Sequence, residues 1–255
     1  MEATRSPAGR ISVGDVLNET FAVYGQNWVP LIGSAIVVFL VVGLIAGLVQ
    51  SAGGVVLGLV AAVIRLVGYA LYIGFVVRLV QDVRDGRRDQ TVGDLFSAAS
   101  PAILPLIAFG ILFGIGVGIG FILLIVPGLI LLTFWSVGAP AIVVEDEGPI
   151  GAFGRSWRLV RGDAWPVFGV LLVVFLIVLA IQFILGAIAT PIGDAALVIA
   201  AIVSSAVTAP IYALAVSVMF FDLGGGAPAP ATAVPQQAEP PPPSEPPPPE
   251  QPPAA

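Results

Sequence analysis

The chain has 255 residues, of which 58% are hydrophobic and only 10% are charged, and its mean hydropathy is +1.03. An ordinary soluble domain carries about 25% charged residues, so this composition excludes a soluble globular protein. The formal net charge is −6, and the chain has neither histidine nor cysteine. These absences exclude Ser-His-Asp triads and thiolate or histidine metal sites, so we expect no enzyme activity, no metal site and no cofactor.

Six apolar segments are each long enough to cross a bilayer, which takes about 20 residues of helix. The run from Leu95 to Val144 contains no charged side chain and is long enough for two crossings. Pro127-Gly128 is the predicted turn inside it, because proline suits a first helical turn and glycine unusual backbone angles. A re-entrant hairpin is the alternative for this pair of spans. The predicted spans are Val29–Val49, Val56–Val80, Ala102–Ile125, Leu129–Val144, Pro166–Ile188 and Ala195–Phe221.

A short amphipathic segment precedes each odd-numbered span. The first two begin with the near copies Ser12-Val13-Gly14-Asp15 and Thr91-Val92-Gly93-Asp94, in which a hydroxyl and an acid three residues later resemble a capping box. The third segment is 149–163. The predicted apolar faces are Val13, Leu17, Phe21, Tyr24 and Trp28 in the first segment, and Ile150, Phe153, Trp157 and Val160 in the third.

This pattern predicts an all-α polytopic membrane helical bundle, with about six transmembrane helices arranged as three repeats of an interfacial amphipathic helix plus a helical hairpin. A cleaved signal peptide is the competing interpretation of the first span. It fits poorly, because the apolar run begins only at Val29 and is longer than the about 7–15 residues of a signal-peptide core.

Arginine placement predicts the orientation of the bundle. All ten basic residues are arginines, and nine of them fall before span one, after span two, or between spans four and five. Six crossings put these segments on one side, which the positive-inside rule assigns to the cytoplasm. We therefore expect both termini to be cytoplasmic. The predicted division is an N-terminal cytoplasmic segment (1–10), a six-span membrane domain (11–223) and a disordered Pro-rich cytoplasmic tail (224–255).

The tail contains thirteen prolines in 32 residues, a composition typical of polyproline II without a hydrophobic core. An unspecific spacer is one interpretation, and recruitment of a protein partner with a proline-binding groove is the other. No nucleic-acid partner is expected.

Arg65 is the one charged side chain well inside a predicted span, since Arg78 lies at the end of span two, and a central arginine costs about 2.5–3.5 kcal/mol on insertion scales. One interpretation is an anion or lipid-headgroup site paired with Asp194. In the other, span two starts late and the side chain snorkels to the membrane surface.

Two further sets of residues carry structural or functional hypotheses. A cytoplasmic basic surface is predicted to attract anionic lipid headgroups, at about 1 kcal/mol per arginine, or to fix topology alone. Small residues every four positions in span three predict close helix packing within the bundle, with dimerisation as the alternative. The basic surface comprises Arg84, Arg87, Arg88, Arg155, Arg158 and Arg161, and the small residues are Gly110, Gly114 and Gly118.

A polar stripe marks span six, where Ser204, Thr208 and Tyr212 follow at helical spacing and Pro210 frees a carbonyl beside them. Interhelical hydrogen bonding explains such a stripe, and a substrate path is the alternative.

The chain resembles the membrane domain associated with bacterial glycerophosphoryl diester phosphodiesterases and its uncharacterised six-span relatives. The resemblance covers about residues 11–223 and is carried chiefly by Ala139-Pro140-Ala141-Ile142-Val143-Val144-Glu145, Gly148-Pro149-Ile150-Gly151-Ala152 and Arg155-Ser156-Trp157-Arg158-Leu159-Val160-Arg161-Gly162. It implies a multi-pass protein of the bacterial plasma membrane. The chain departs from the family pattern after Phe221-Asp222-Leu223, where glycines stand in place of an arginine. We expect no phosphodiesterase domain, since 33 residues follow Asp222 and no histidine is present.

The sequence favours an integral membrane protein without catalytic machinery, acting as a scaffold, regulator or assembly partner. The alternative is a lipid or small-solute transporter. A transporter should contain a polar cavity near mid-membrane, reached by Arg65, Gln182 or the Ser204 stripe, whereas a scaffold should have a tightly packed interior.

Overall fold

The computed structural model describes residues 11–86 and 90–226, and these residues fold into α-helices joined by short turns. Within them, six segments are long and apolar enough to span a membrane, so the predicted all-α multi-pass bundle is confirmed. The segments 1–10 and 227–255 lie outside the described residues, and with them most of the predicted tail. The helices are α1 (Val13–Gln26), α2 (Trp28–Ser51), α3 (Val55–Arg84), α4 (Val92–Ala99), α5 (Ile103–Leu123), α6 (Ile125–Trp135), α7 (Gly138–Glu145), α8 (Pro149–Val160), α9 (Ala164–Ala189) and α10 (Asp194–Asp222).

The helices form three units, each an amphipathic helix followed by a hairpin: α1 with α2–α3, α4 with α5–α6–α7, and α8 with α9–α10. The predicted caps start the first two units. The Ser12 hydroxyl accepts a 3.4 Å hydrogen bond from the Asp15 amide. Thr91 and Asp94 form a complete capping box, because each side chain accepts from the other residue's backbone amide.

Each amphipathic helix packs on the hairpin of a neighbouring unit in cyclic order. Helix α4 packs on α3, where a Cβ at Gly74 would lie 3.0 Å from the Ala99 Cβ. Helix α8 packs on α5, α6 and α7, and α1 closes the ring on α9 and α10, where the Tyr24 hydroxyl donates to the Val207 carbonyl at 3.4 Å. The repeat is therefore interlocked rather than a row of separate units.

The buried core lies at one end of the bundle, between the second helices of the three hairpins. We call this end the basic end, because Arg78, Arg84, Arg155, Arg158 and Arg161 belong to it. The other end contains the hairpin turns, and we call it the opposite end. The largest fully buried side chains of this core include Tyr72, Phe75, Val76, Ile142, Leu214, Met219 and Phe220. Towards the opposite end apolar side chains such as Leu48, Val55, Ile122 and Phe183 are mostly exposed, consistent with a lipid-facing surface.

The side chains that the amphipathic helices bury in the protein coincide only in part with the predicted apolar faces. In α1 the buried residues are Val16, Thr20 and Val23, and in α8 they are Ala152, Ser156 and Val160, of which Val160 belongs to a predicted face. Large residues of the predicted apolar faces are substantially exposed: Phe21 43%, Trp28 54%, Ile150 77% and Trp157 43%. Small side chains allow the helices to approach the bundle closely, which leaves the large apolar ones for lipid.

The turn between the third and fourth spans differs from the prediction of Pro127-Gly128. The chain reverses at Leu124, whose backbone is extended (φ −166°, ψ 153°), and Pro127 lies in the first turn of α6. Gly128 is needed for close packing rather than for unusual backbone angles, because a Cβ there would lie 2.5 Å from the Phe121 ring. The fourth span thus starts at Ile125, not Leu129.

The fourth span is broken into α6 and α7 at Ser136-Val137. Pro140 lacks the amide that would bond the Ser136 carbonyl, and its ring crowds that carbonyl, so proline accounts for the break. Together the two helices cover 21 residues, as α5 does alone, and these lengths favour two full crossings over a re-entrant hairpin.

Candidate binding cavity in the membrane domain

Three adjoining cavities lie between the packed core and the opposite end of the bundle. They are formed by α2, α3, α10 and neighbouring helices, and Tyr69 lines all three. The largest, of about 760 Å³, lies between α2, α3 and α10. A second of about 360 Å³ extends towards α9, and a small one of about 90 Å³ lies between α3, α5, α7 and α10. The volume of the largest is within the range of ligand sites in proteins. We refer to them together as the central cavity.

The central cavity lies deep in the spanning region. The residues that line its largest part are Phe39, Leu40, Val42, Gly43, Leu44, Arg65, Leu66, Tyr69, Ala201, Ile202 and Ser205. They are 7–14 positions from the ends of their helices at the opposite end of the bundle, which is about 10–21 Å at 1.5 Å per residue. The cavity is therefore near the middle of a bilayer about 30 Å thick in its hydrocarbon region.

The lining is apolar apart from a few polar groups. Arg65 is the one charged residue among the described residues that line the central cavity. Tyr69 lies one helical turn further along α3, and α10 contributes the hydroxyls of Ser205, Thr208 and Tyr212. Cavities with this composition bind molecules that are largely apolar and are oriented by a small number of polar contacts.

Arg65 is exposed, and its Nη2 donates a 2.7 Å hydrogen bond to Oε1 of Gln50, near the end of α2. The α-carbon lies ten positions into α3, about 15 Å along the axis, so the guanidinium group is directed towards the opposite end. This direction is that of a snorkelling arginine. The sequence did not predict Gln50 as the partner, and the side chain of the predicted partner, Asp194, lies outside the described part of the chain.

The predicted polar stripe on α10 faces different surroundings at each position. The Thr208 hydroxyl donates to the Ser204 carbonyl of its own helix at 2.8 Å, and Ser204 Oγ is buried without a hydrogen-bond partner among the described residues. Thr208 and Tyr212 line the central cavity. Gln182 is exposed on α9 and does not line it. The stripe therefore borders the cavity rather than forming interhelical hydrogen bonds.

At the basic end, Arg84 connects three helices. Its Nη2 lies 2.6 Å from Oε1 of Glu19 in α1 and 2.8 Å from Oδ1 of Asp222 in α10. The guanidinium carbon also lies 5.2 Å from the ring centroid of Phe221, a cation–π distance. The Arg84 side chain is thus bound within the protein, and it holds α1, α3 and α10 together at the basic end.

Arg155 joins α8 to α7 through a bidentate ion pair with Glu145, in which Nε and Nη2 each donate a 2.7 Å hydrogen bond. These bonds raise the pKa of the Arg155 guanidinium. Glu145 also accepts a 2.8 Å hydrogen bond from the Gly226 amide. Arg158 and Arg161 are exposed, whereas Arg87 and Arg88 lie outside the described residues.

The acidic run at residues 145–147 has a structural role at two positions. Glu145 pairs with Arg155, and Asp146 adopts a left-handed backbone (φ 53°) that ends α7. No group of three carboxylates suited to a metal ion occurs among the described residues.

The glycines of α5 differ in their surroundings. A Cβ at Gly110 would lie 3.0 Å from Leu66 of α3, whereas Gly114 and Gly118 face open space. The closest approach to the backbone of α6 is made on the neighbouring stripe, where a Cβ at Gly120 would lie 2.9 Å from the Gly128 Cα. Hairpin packing therefore depends on Gly120 more than on the stripe that the four-residue spacing indicates.

Tyr69 and Ser205 were not singled out by sequence reasoning, although one signal was present. Tyr69 follows Arg65 at four residues, so both side chains occupy one face of α3. Ser205 lies next to the predicted stripe, and only the rotation of α10 in the bundle directs it into the cavity.

Comparison with known proteins identifies the family of this chain. No curated protein and no solved structure matches the chain. The family model described as "Domain of unknown function (DUF7847)" matches residues 50–209, which run from the end of α2 through Pro149–Val160 and Ala164–Ala189 into α10. This match covers more than half of the chain and most of the helices that line the central cavity. The chain therefore belongs to the DUF7847 family.

Proposed function

We propose that this chain is a non-catalytic integral membrane protein that binds a membrane amphiphile in the central cavity, as the binding step of a lipid or small-solute transporter. The observation that carries this proposal is a mid-membrane cavity of about 760 Å³, bordered by Arg65 and Ser205. A scaffold packed along the whole length of its helices does not need such a space.

The closed basic end agrees with a binding protein that is open on one side. The core around Tyr72, Phe75 and Phe220 is fully buried, and the Arg84 and Arg155 ion pairs bridge helices beneath it. The exposed lining residues Leu44, Arg65 and Ala201 lie towards the opposite end, so a ligand has access from there or from the surrounding lipid.

For the orientation, we propose that the basic end is cytoplasmic in a bacterial plasma membrane, as the positive-inside rule indicates. At the described part of the basic end, Arg158 and Arg161 are exposed arginines available to anionic headgroups, each contributing about 1 kcal/mol near the surface.

A second candidate is a membrane scaffold or regulator. It is favoured by α8, which exposes Arg158 together with the apolar side chains of Trp157 and Ile150, the last two being 43% and 77% exposed. Such a basic and apolar surface suits a lipid surface or a protein partner. The Pro-rich tail is the other candidate contact for a protein.

The resemblance to the phosphodiesterase-associated membrane domain rests on residues with clear structural contacts. Ser156 Oγ donates to the Phe134 carbonyl at 2.8 Å, and Trp157 stacks on Phe134 with a centroid distance of 4.1 Å. With the Glu145–Arg155 pair, these contacts fix α8 to the second hairpin. The relationship itself remains part of the proposal, and it supplies a membrane fold rather than an activity.

The proposal is tested by blocking the cavity with a large side chain. Ser205→Trp fills the lining between α2 and α10, whereas Val203→Trp adds the same side chain to a residue of α10 that is 45% exposed and does not line the cavity. We expect the full-length wild type and Val203→Trp to retain lipid after purification in detergent, measured by native mass spectrometry, and Ser205→Trp to lose most of it. Equal lipid retention by Ser205→Trp and Val203→Trp contradicts the proposal.

A further inference from the structure

The central cavity has a chemical asymmetry that specifies its ligand more closely. Its single positive charge, Arg65, lies at the exposed side of the largest part. The deeper parts are lined mainly by aliphatic and aromatic side chains, and their polar groups are uncharged hydroxyls, those of Tyr69, Ser136, Ser205, Thr208 and Tyr212. A ligand complementary to this lining has one anionic end and an apolar body.

The charge of Arg65 is not neutralised by the partner that it contacts. Gln50 is a neutral amide, and its 2.7 Å hydrogen bond compensates desolvation only in part. Among the residues whose side chains are described, the ion pairs are those of Arg84 and Arg155, and none includes Arg65. A guanidinium group carried by a spanning segment is stabilised by an anion or by water that reaches it, because ionised residues in such segments normally pair with a partner or contact water.

The position of the guanidinium suits a lipid headgroup better than a free anion. It is directed from mid-membrane towards the opposite end, where a headgroup lies, and the cavity beneath it runs towards the bundle interior past Leu66 and Phe39. A small inorganic anion uses none of this apolar surface. An acyl chain fills it and removes apolar area from water or from an unfilled void.

We propose that the central cavity binds an anionic lipid whose headgroup is held by the guanidinium group of Arg65, which is oriented by its hydrogen bond to Gln50. This inference rests on the proposed function and adds the ligand class. Tyr69, one turn below Arg65 on the same face of α3, is placed to contact the part of the lipid that joins headgroup and chain.

The test measures lipid retention by the full-length protein, in nanodiscs and by native mass spectrometry. The probes that are compared are phosphatidylglycerol, phosphatidylcholine and inorganic phosphate. We expect the wild type to retain phosphatidylglycerol at least about tenfold better than phosphatidylcholine, because a charge-assisted hydrogen bond increases affinity by about that factor. Arg65→Gln should abolish this preference while lipid remains bound, and Arg65→Lys should retain part of it.

Arg78→Gln is the matched control, because it removes one arginine of the basic end that contacts Gln81 and does not line the cavity. The preference should be unchanged in this variant. Three results overturn the inference: a preference that survives Arg65→Gln, a preference lost equally in Arg78→Gln, or displacement of the lipid by inorganic phosphate alone at equal concentration.

The two proposals fail in different ways. If Ser205→Trp retains as much lipid as the wild type, the cavity is not the binding site and the proposed function itself fails. If Ser205→Trp releases lipid but Arg65→Gln keeps the headgroup preference, only the assignment of Arg65 to the headgroup fails.

Discussion

The guanidinium group of Arg155 donates two 2.7 Å hydrogen bonds to the two carboxylate oxygens of Glu145, and so joins α8 to the end of α7. The two side chains are 23% and 17% exposed, which makes this pair better protected from solvent than those of Arg84. Because α8 contacts the second hairpin but leads into the third, the pair couples two of the three repeats.

We expect Arg155→Ala to lower the free energy of unfolding by about 1–2 kcal/mol, since the exposed fraction of the pair reduces the effect expected of a buried one. Thermal unfolding in detergent should show a lower midpoint than wild type. Arg158→Ala, in the same helix but exposed, should have little effect. Equal midpoints for the two variants would show that the pair does not stabilise the bundle.

Gly120→Ala should destabilise the α5–α6 hairpin by about 1–3 kcal/mol, because its Cβ would lie 2.9 Å from a backbone atom of Gly128 that has no room to move. Gly118→Ala, two residues earlier on the open face, should cost nothing and retain the wild-type midpoint. The measurement is thermal unfolding of both variants in one detergent. A larger loss in Gly118→Ala would mean that this face is covered by another chain.

Thr91→Ala should cost about 1 kcal/mol, because it removes the hydroxyl that accepts from the Asp94 amide and donates to the Asp94 carboxylate at 2.7 Å. Ser97→Ala, an exposed hydroxyl in the same helix, is the control. Chemical denaturation in mixed micelles reports the difference. We expect no change in lipid retention, since α4 is remote from the lining of the largest cavity.

The orientation can be tested with single cysteines, because the chain has none of its own. Ser51→Cys, at the hairpin turn of α2 and α3, should react with a membrane-impermeant maleimide added to intact cells. Gly162→Cys, after α8, should react only once the cells are opened. The reverse pattern of labelling would place the basic end outside and contradict the proposed topology.

The sequence by itself determined the number of spans and the start of each repeat, because hydrophobic length and helix caps are local properties. The apolar run from Leu95 to Val144 needs no tertiary contact to predict two crossings, and Thr91 with Asp94 marks a helix start wherever it lies. Arg65 was identified for the same reason, as a charge inside an apolar segment.

Only the tertiary structure decided which helix faces meet. In an apolar segment every face is hydrophobic, so periodicity does not distinguish a side that contacts lipid from one that contacts protein. Small side chains such as Ala152 and Gly120 therefore mark the packed faces, while Phe21 and Ile150 are left exposed. The cyclic packing of the amphipathic helices and the cavity around Tyr69 arise from contacts between segments far apart in the chain, which no local pattern encodes.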